Sequence, residues 1–410
     1  MAKLAHNELV TLLMAIAIMM LLSRVLAEFG RRYKLPMVMG ELIVGILLGP
    51  TIFGALFPDL FLKVFPRTGN VAIALDGITN MSVVMLLFVA GMEVQLPMVL
   101  KQGRKAVITS LSSMIIPFVV GFAMAWYGSD YFAFTTPDRK LLFALFLGTA
   151  MSISALPVIA RILMDLNLFK TKVGQIIIAS AMFNDLIGWL IFSVILSQLE
   201  NTSSEGTALT IVYVVIFGLF MLTIGKKIID KALPWMQKKL SWPGGVLSIS
   251  LGLCFASAAL TESIGLHAIL GAFICGIAFG DSVHLNIKAR EIIEQFVINV
   301  FAPLFFVSIG LKIDFAANFD VVLVVVILIV AIVGKVVGAG LGAYFAGFTR
   351  NESLAIGFGL NARGAMEIIL GTLALNAGLI DRPVFVALVV MALVTSILSG
   401  PMMRKFMSNQ

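Results

Sequence analysis

Apolar runs of about twenty residues, the length that spans the hydrocarbon core of a bilayer, follow one another along this chain with only short polar breaks. Their central residues are 9–27, 38–57, 72–94, 106–127, 141–163, 173–196, 208–228, 246–260, 264–280, 292–311, 321–345, 354–377 and 383–403. No single water-soluble core could hide them, because 60% of the 410 residues are hydrophobic and 12% are charged. Backbone polar groups in lipid must be satisfied within each segment, so the pattern predicts an all-α polytopic membrane protein with about thirteen transmembrane helices.

The net charge of +7 has a topological cause and does not call for nucleic acid. With the N-terminus placed outside, the cytoplasmic loops hold 20 of the 29 Lys and Arg residues, while the opposite side holds seven. That is the positive-inside bias, and it puts the C-terminus in the cytoplasm. The compact chain suits a bacterial inner membrane and leaves no room for a soluble regulatory domain. The first run lacks a basic leader and a cleavage site, so it reads as a retained helix. Cys254 and Cys275 fall inside apolar runs as packing residues, and His6, His267 and His284 are scattered. No cofactor, metal cluster or nucleophilic triad is indicated, so the chain does not read as an enzyme.

An odd number of crossings fits six, a connecting helix and six in opposite orientation, the inverted-repeat plan of secondary transporters. Residues 206–239 would be the linker helix and a basic loop. The fifth run of each half is rich in helix breakers: GTAMSISALP at 148–157 and GFGLNARG at 357–364. Both are expected to be discontinuous helices whose half-helix ends and free carbonyls lie at mid-membrane. Thr149, Ser152, Ser154, Pro157 and Asn361 are the residues of these breaks and candidate ligands there. Gly334, Gly338, Gly342 and Ala346, like Gly40, Gly45, Gly49 and Gly54, are spaced for close helix packing and carry no chemistry.

Charges inside these runs are costly, by about 3 kcal/mol each on insertion scales, so they mark function. A carboxylate accepts a small cation or a proton but not both together, which makes Asp185 the candidate ion- and proton-binding residue. Asn184 beside it can fix geometry without titrating. Lys335 is either a charge partner for Asp185 or a second proton site. Arg363 and Glu367, four residues apart, are expected to form a structural ion pair. Glu41, Asp76 and Glu93 lie nearer run ends and read as structural. The resulting reading is an ion transporter whose cargo competes with protons for Asp185.

TAMSISALPVIARILMDL from Thr149 and SAMFNDLIGW around Asp185 closely resemble the monovalent cation:proton antiporter-2 family, the branch with plant CHX-type exchangers and bacterial glutathione-gated potassium efflux proteins. GELIVGILLGPTIFG, LLFVAGMEV, IGLHAILGAFICGIAFG, APLFFVSIGLKID, the Gly334-Lys335 pair and NARGAMEIIL extend the likeness over nearly the whole chain. The resemblance implies exchange of Na+ or K+ for H+ by a homodimer in the lipid bilayer with an elevator mechanism, with a gated potassium channel-like efflux protein as the alternative. It has the two discontinuous helices cross. It implies a dimerisation domain at 1–100 and 240–312 and a core ion-transport domain at 104–200 and 319–406. It makes Asp185 the carrier, puts Asn184 in place of the first acid of a paired-aspartate motif, and sets Lys335 facing them. One carrier acid implies electroneutral exchange, although Lys335 leaves room for a second proton.

Overall fold

The computed structural model describes residues 4–32, 37–94, 103–128, 139–200, 205–241 and 243–407, and no strand occurs among them. In chain order the helices are α1 (His6–Arg32), α2 (Met37–Leu48), α3 (Phe53–Leu56), α4 (Pro58–Val64), α5 (Asn70–Glu93) and α6 (Gly103–Tyr127). Then come α7 (Lys140–Ser152), α8 (Leu156–Asp165), α9 (Lys172–Glu200), α10 (Glu205–Phe220), α11 (Lys226–Lys239), α12 (Gly244–Ser263) and α13 (Ala268–Gly280). The last are α14 (Ile287–Phe296), α15 (Ala302–Lys312), α16 (Val321–Phe345), α17 (Arg350–Leu360), α18 (Ala365–Asn376) and α19 (Arg382–Met407). Two π-helical turns, Met221–Gly225 and Val297–Phe301, join α10 to α11 and α14 to α15.

Among the described residues, ten helical segments are long and apolar enough to cross a membrane, or up to eleven if the bent pair α17 and α18 is one span. Two shorter apolar helices, α7 and α13, stand in the fifth and ninth apolar runs. The helix count is therefore consistent with the about thirteen crossings expected from run length.

The basic stretch expected as a loop after the seventh run is helical instead. Its buried residues Ile229, Leu233 and Met236 recur at helical spacing, so α11 has one apolar face, while Lys227, Lys231, Lys238 and Lys239 stay exposed. The second run also departs from a single helix, because α2 stops at Leu48 and the short α3 follows.

The chain folds as two compact units: residues 1–93, 217–264 and 268–318 form the first, and residues 94–216, 265–267 and 319–410 the second. In the first unit, small residues let backbones touch. A β-carbon at Gly49 would fall on the Gly310 carbonyl, and one at Gly276 would fall on the Phe88 carbonyl, locking α2 to α15 and α5 to α13. A core of Ala15, Met19, Val44, Phe61, Leu304 and Val307 fills the space between α1, α2, α4 and α15. Asp76 pairs with Lys312 at 2.6 Å on the surface of this unit. Glu41 is buried there, and Glu93 lies within electrostatic range of Arg290 and Glu294.

In the second unit, α16 packs closely on α6. Gly338 faces Ile116 and Pro117, Gly342 faces Ser112, and Ser112 Oγ donates to the Gly338 carbonyl at 2.8 Å. Ile177, Ile356, Leu360 and Met403 belong to the apolar cluster that holds α9, α17 and α19 together.

Candidate functional site

The site is assembled within the second unit around two interrupted helices. α7 stops at Ser152, Ile153 and Ala155 are extended, and α8 restarts at Leu156 with Pro157 in its first turn, where a missing N–H costs nothing. α17 stops at Leu360, and α18 restarts at Ala365 after a bend of 45°. The two breaks hold each other. Ala155 N–H donates to the Ala362 carbonyl at 2.9 Å, and Ser154 Oγ donates to the Leu360 carbonyl at 2.8 Å. Gly364 fits because a β-carbon there would press on Val158 and Ala155 at 3.0 and 3.3 Å.

The interruption leaves α7 with a free carbonyl end, the negative pole of its dipole. Two buried cations cover it. Arg363 Nη1 donates to the Ala150 carbonyl at 2.5 Å, and Nη2 donates to the Met151 carbonyl at 2.6 Å. Nη1 also meets Glu367 Oε1 at 2.8 Å, so the i,i+4 pair sits at the helix break with both side chains buried. Ser396 Oγ donates to the Arg363 carbonyl and anchors the same loop to α19.

Lys335 is the second cation, fully buried on α16. Its Nζ donates to the Ser152 carbonyl, to the Ser113 carbonyl at 3.0 Å and, with the Asn184 amide turned to face its donors, to Asn184 Oδ1 at 3.1 Å. An ammonium has three N–H donors, so three neutral oxygens account for all of them. In that orientation Asn184 Oδ1 also accepts from Ser113 Oγ at 3.0 Å, while its nitrogen donates to the Ser180 carbonyl at 3.3 Å. Asp185, 2% exposed, follows Asn184 on α9, and its charge acts on Lys335 along with those of Arg363 and Glu367.

Pro117 explains why the Ser113 carbonyl is available. It lies inside α6, four residues after Ser113, and lacks the N–H that would close the turn. The carbonyl loses its usual partner and accepts a hydrogen bond from Lys335 instead. Ser113 is a site residue that motif reading misses; the signal for it is a proline four residues further on in an apolar run.

The remaining expected ligands divide. Thr149 Oγ1 and Ser152 Oγ donate to carbonyls of their own helix, at 2.7 and 2.8 Å. Asn361 is fully buried at the second break, and neither amide atom has a hydrogen-bond partner among the described residues. The Pro157 side chain lies outside the described residues. No group of three His, Cys, Asp or Glu side chains that could hold a metal ion occurs among the described residues.

A carboxylate, two buried cations and crossed half-helices inside an all-helical membrane protein are the equipment of a secondary transporter. A family model described as sodium/hydrogen exchanger, transmembrane, matches residues 13–408. The chain is 31% identical over 406 residues to Na(+)/H(+) antiporter NhaS4 of Synechocystis sp., covering 97% of this chain and 98% of that one. It is 30% identical to cation/H(+) antiporter 17 of Arabidopsis thaliana, but it spans only 48% of that longer protein. The solved structure of the sodium proton antiporter MjNhaP1 from Methanocaldococcus jannaschii shares the fold, with a TM-score of 0.65 at 16% identity over 98% of both chains. This chain belongs to the sodium/hydrogen exchanger family of monovalent cation:proton antiporters.

Proposed function

We propose that the chain exchanges one Na+ or K+ for one H+ at Asp185, without net movement of charge. The observation that carries this reading is the set of acceptors on Lys335: three neutral oxygens satisfy the ammonium, so its proton need not leave when Asp185 changes partner. When a cation replaces the proton on Asp185, the charge of the site is the same before and after. Arg363 and Glu367 cancel each other and serve as a fixed neutral cap on α7. The unpartnered Asn361 amide offers a neutral oxygen at the crossing for a cation that has shed water.

Asp185, Lys335, Arg363 and both breaks belong to one compact unit, which supports assigning transport to residues 104–200 and 319–406. Residues 1–100 and 240–312 then make the homodimer scaffold, and the transport part carries its ion by elevator-type alternating access. The positive-inside bias of the sequence supports an N-terminus outside and a C-terminus in the cytoplasm of a bacterial inner membrane. A channel-like efflux protein is not favoured, because the relatives are named antiporters.

The test is the pH change inside proteoliposomes on adding Na+ or K+, with Asp185→Asn in parallel. Cation-driven proton movement in the parent and none in the variant is expected. Equal movement in both would remove Asp185 from the reading, and no movement with either cation would remove the antiport itself.

A further inference from the structure

The outer side of α16 carries a feature that ion exchange does not use. A groove of about 410 Å³ runs between α16 and α17, open along one side. Its walls are Val336, Val337, Leu341 and Leu354, and its floor is Gly340, where a β-carbon would already touch the Ser353 carbonyl at 3.5 Å. From Val336 to Tyr344 the groove follows about 12 Å of helix, enough for the upper part of an acyl chain.

One end of the groove is polar and positive. Arg350 lines it, is exposed and makes no ion pair among the described residues. Lys105 Nζ lies over the Phe348 ring at 5.4 Å, in the turn that joins α16 to α17. Glu352, the acid of the same turn, is occupied by the Thr349 N–H at 2.8 Å in a capping box. One turn deeper, Ser353 lines the groove with a hydroxyl that has no hydrogen-bond partner among the described residues, although the residue is only 4% exposed. A buried hydroxyl is rarely left unpaired, so this one points to a ligand that brings an acceptor.

We infer that the groove holds an anionic glycerophospholipid: the phosphate at Arg350, an ester oxygen accepting from Ser353, and an acyl chain along Gly340. The order of groups along the groove is cation, hydroxyl, then apolar wall. A phospholipid presents the complementary order, phosphate, ester, then tail. Free phosphate would leave the apolar two-thirds of the groove unused, and a protein helix is too wide for a floor shaped by one glycine. The inference does not depend on which ion is exchanged.

The experiment is native mass spectrometry of the full chain released from micelles containing phosphatidylglycerol or phosphatidylcholine with matched tails. One strongly retained phosphatidylglycerol per chain is expected. Arg350→Gln should weaken its binding about fivefold, the effect of one basic residue on an anionic lipid. Gly340→Leu should abolish retention of that lipid; Val337→Trp, on an exposed position, fills the same groove should the first variant fail to fold. Lys238→Gln, on the basic helix α11, is the control for general attraction and should change nothing. Equal retention of the two lipids by the parent, retention unaffected by Arg350→Gln and by a folded groove-filling variant, or full competition by inorganic phosphate would each overturn the proposal.

Discussion

A membrane potential is the sharpest probe of the Lys335 hydrogen bonds. With a cation on Asp185, the buried site carries Asp185−, the cation, Lys335+, Arg363+ and Glu367−. With a proton on Asp185, it carries neutral Asp185, Lys335+, Arg363+ and Glu367−. Both forms sum to one positive charge, so a potential of about 100 mV should contribute nothing to the driving force. If Lys335 gave up its proton whenever a cation bound, the two forms would differ by one charge. Each 100 mV would then be worth about 2.3 kcal/mol per cycle, or roughly a fiftyfold change in the balancing gradient. The assay is a null-point measurement: proteoliposomes with a set pH difference and a clamped potential, and a search for the sodium ratio at which proton movement stops. The expected null point equals the proton ratio at every potential. A null point that moves about fiftyfold per 100 mV would refute the claim that the ammonium persists through the cycle.

Asp185→Asn should abolish exchange while leaving the thermal midpoint and elution volume of the purified protein near those of the parent; residual exchange at parental rate would place the carrier elsewhere. Arg363→Gln should strand the buried Glu367 and cost about 3–5 kcal/mol, a fall in midpoint on the order of 10 °C for a unit of this size. Adding Glu367→Gln should recover much of that loss, and strictly additive single effects in a double-mutant cycle would argue against the pair. Acidification should raise the apparent KM for the cation about tenfold per pH unit once Asp185 is mostly protonated, at unchanged maximal rate, because protons and cations compete for one carboxylate. Initial rates against cation concentration at several pH values decide this, and a falling maximal rate at constant KM would exclude simple competition.

Sequence reading reached the features that announce themselves locally. Asp185 and Lys335 stand out because charge interrupts apolar runs, Arg363 and Glu367 because they are four residues apart, and both breaks because Pro157 and Gly364 disturb helical periodicity. Partners that come from another helix did not announce themselves. Nothing near Lys335 in the chain reveals that its acceptors are the carbonyls of Ser113 and Ser152 and the amide oxygen of Asn184, because packing of α6, α7 and α9 against α16 decides that. The basic stretch after the seventh run misled for a related reason: counting lysines there suggested a loop, whereas Ile229, Leu233 and Met236 dictate a helix. Asn361 was visible as a polar residue in a break, but only three-dimensional packing reveals that its amide is buried and unpaired.

Pro117 and Lys335 lie in different helices and are linked through one acceptor, the Ser113 carbonyl, which the proline leaves open and the lysine occupies. Their histories should therefore be tied. A descendant that restores an amide at position 117 makes the Ser113 carbonyl divide itself between its own helix and the lysine, and so weakens the hold on the ammonium. A descendant that loses the lysine first leaves that carbonyl orphaned in hydrocarbon. Each single step passes through a poorer protein, and the double exchange, Pro117→Ala with Lys335→Met, closes the helix at Ser113 but still takes the lysine donor from the Ser152 carbonyl and from Asn184 Oδ1. Anyone transplanting this ion site into another helical scaffold should move the proline with the lysine.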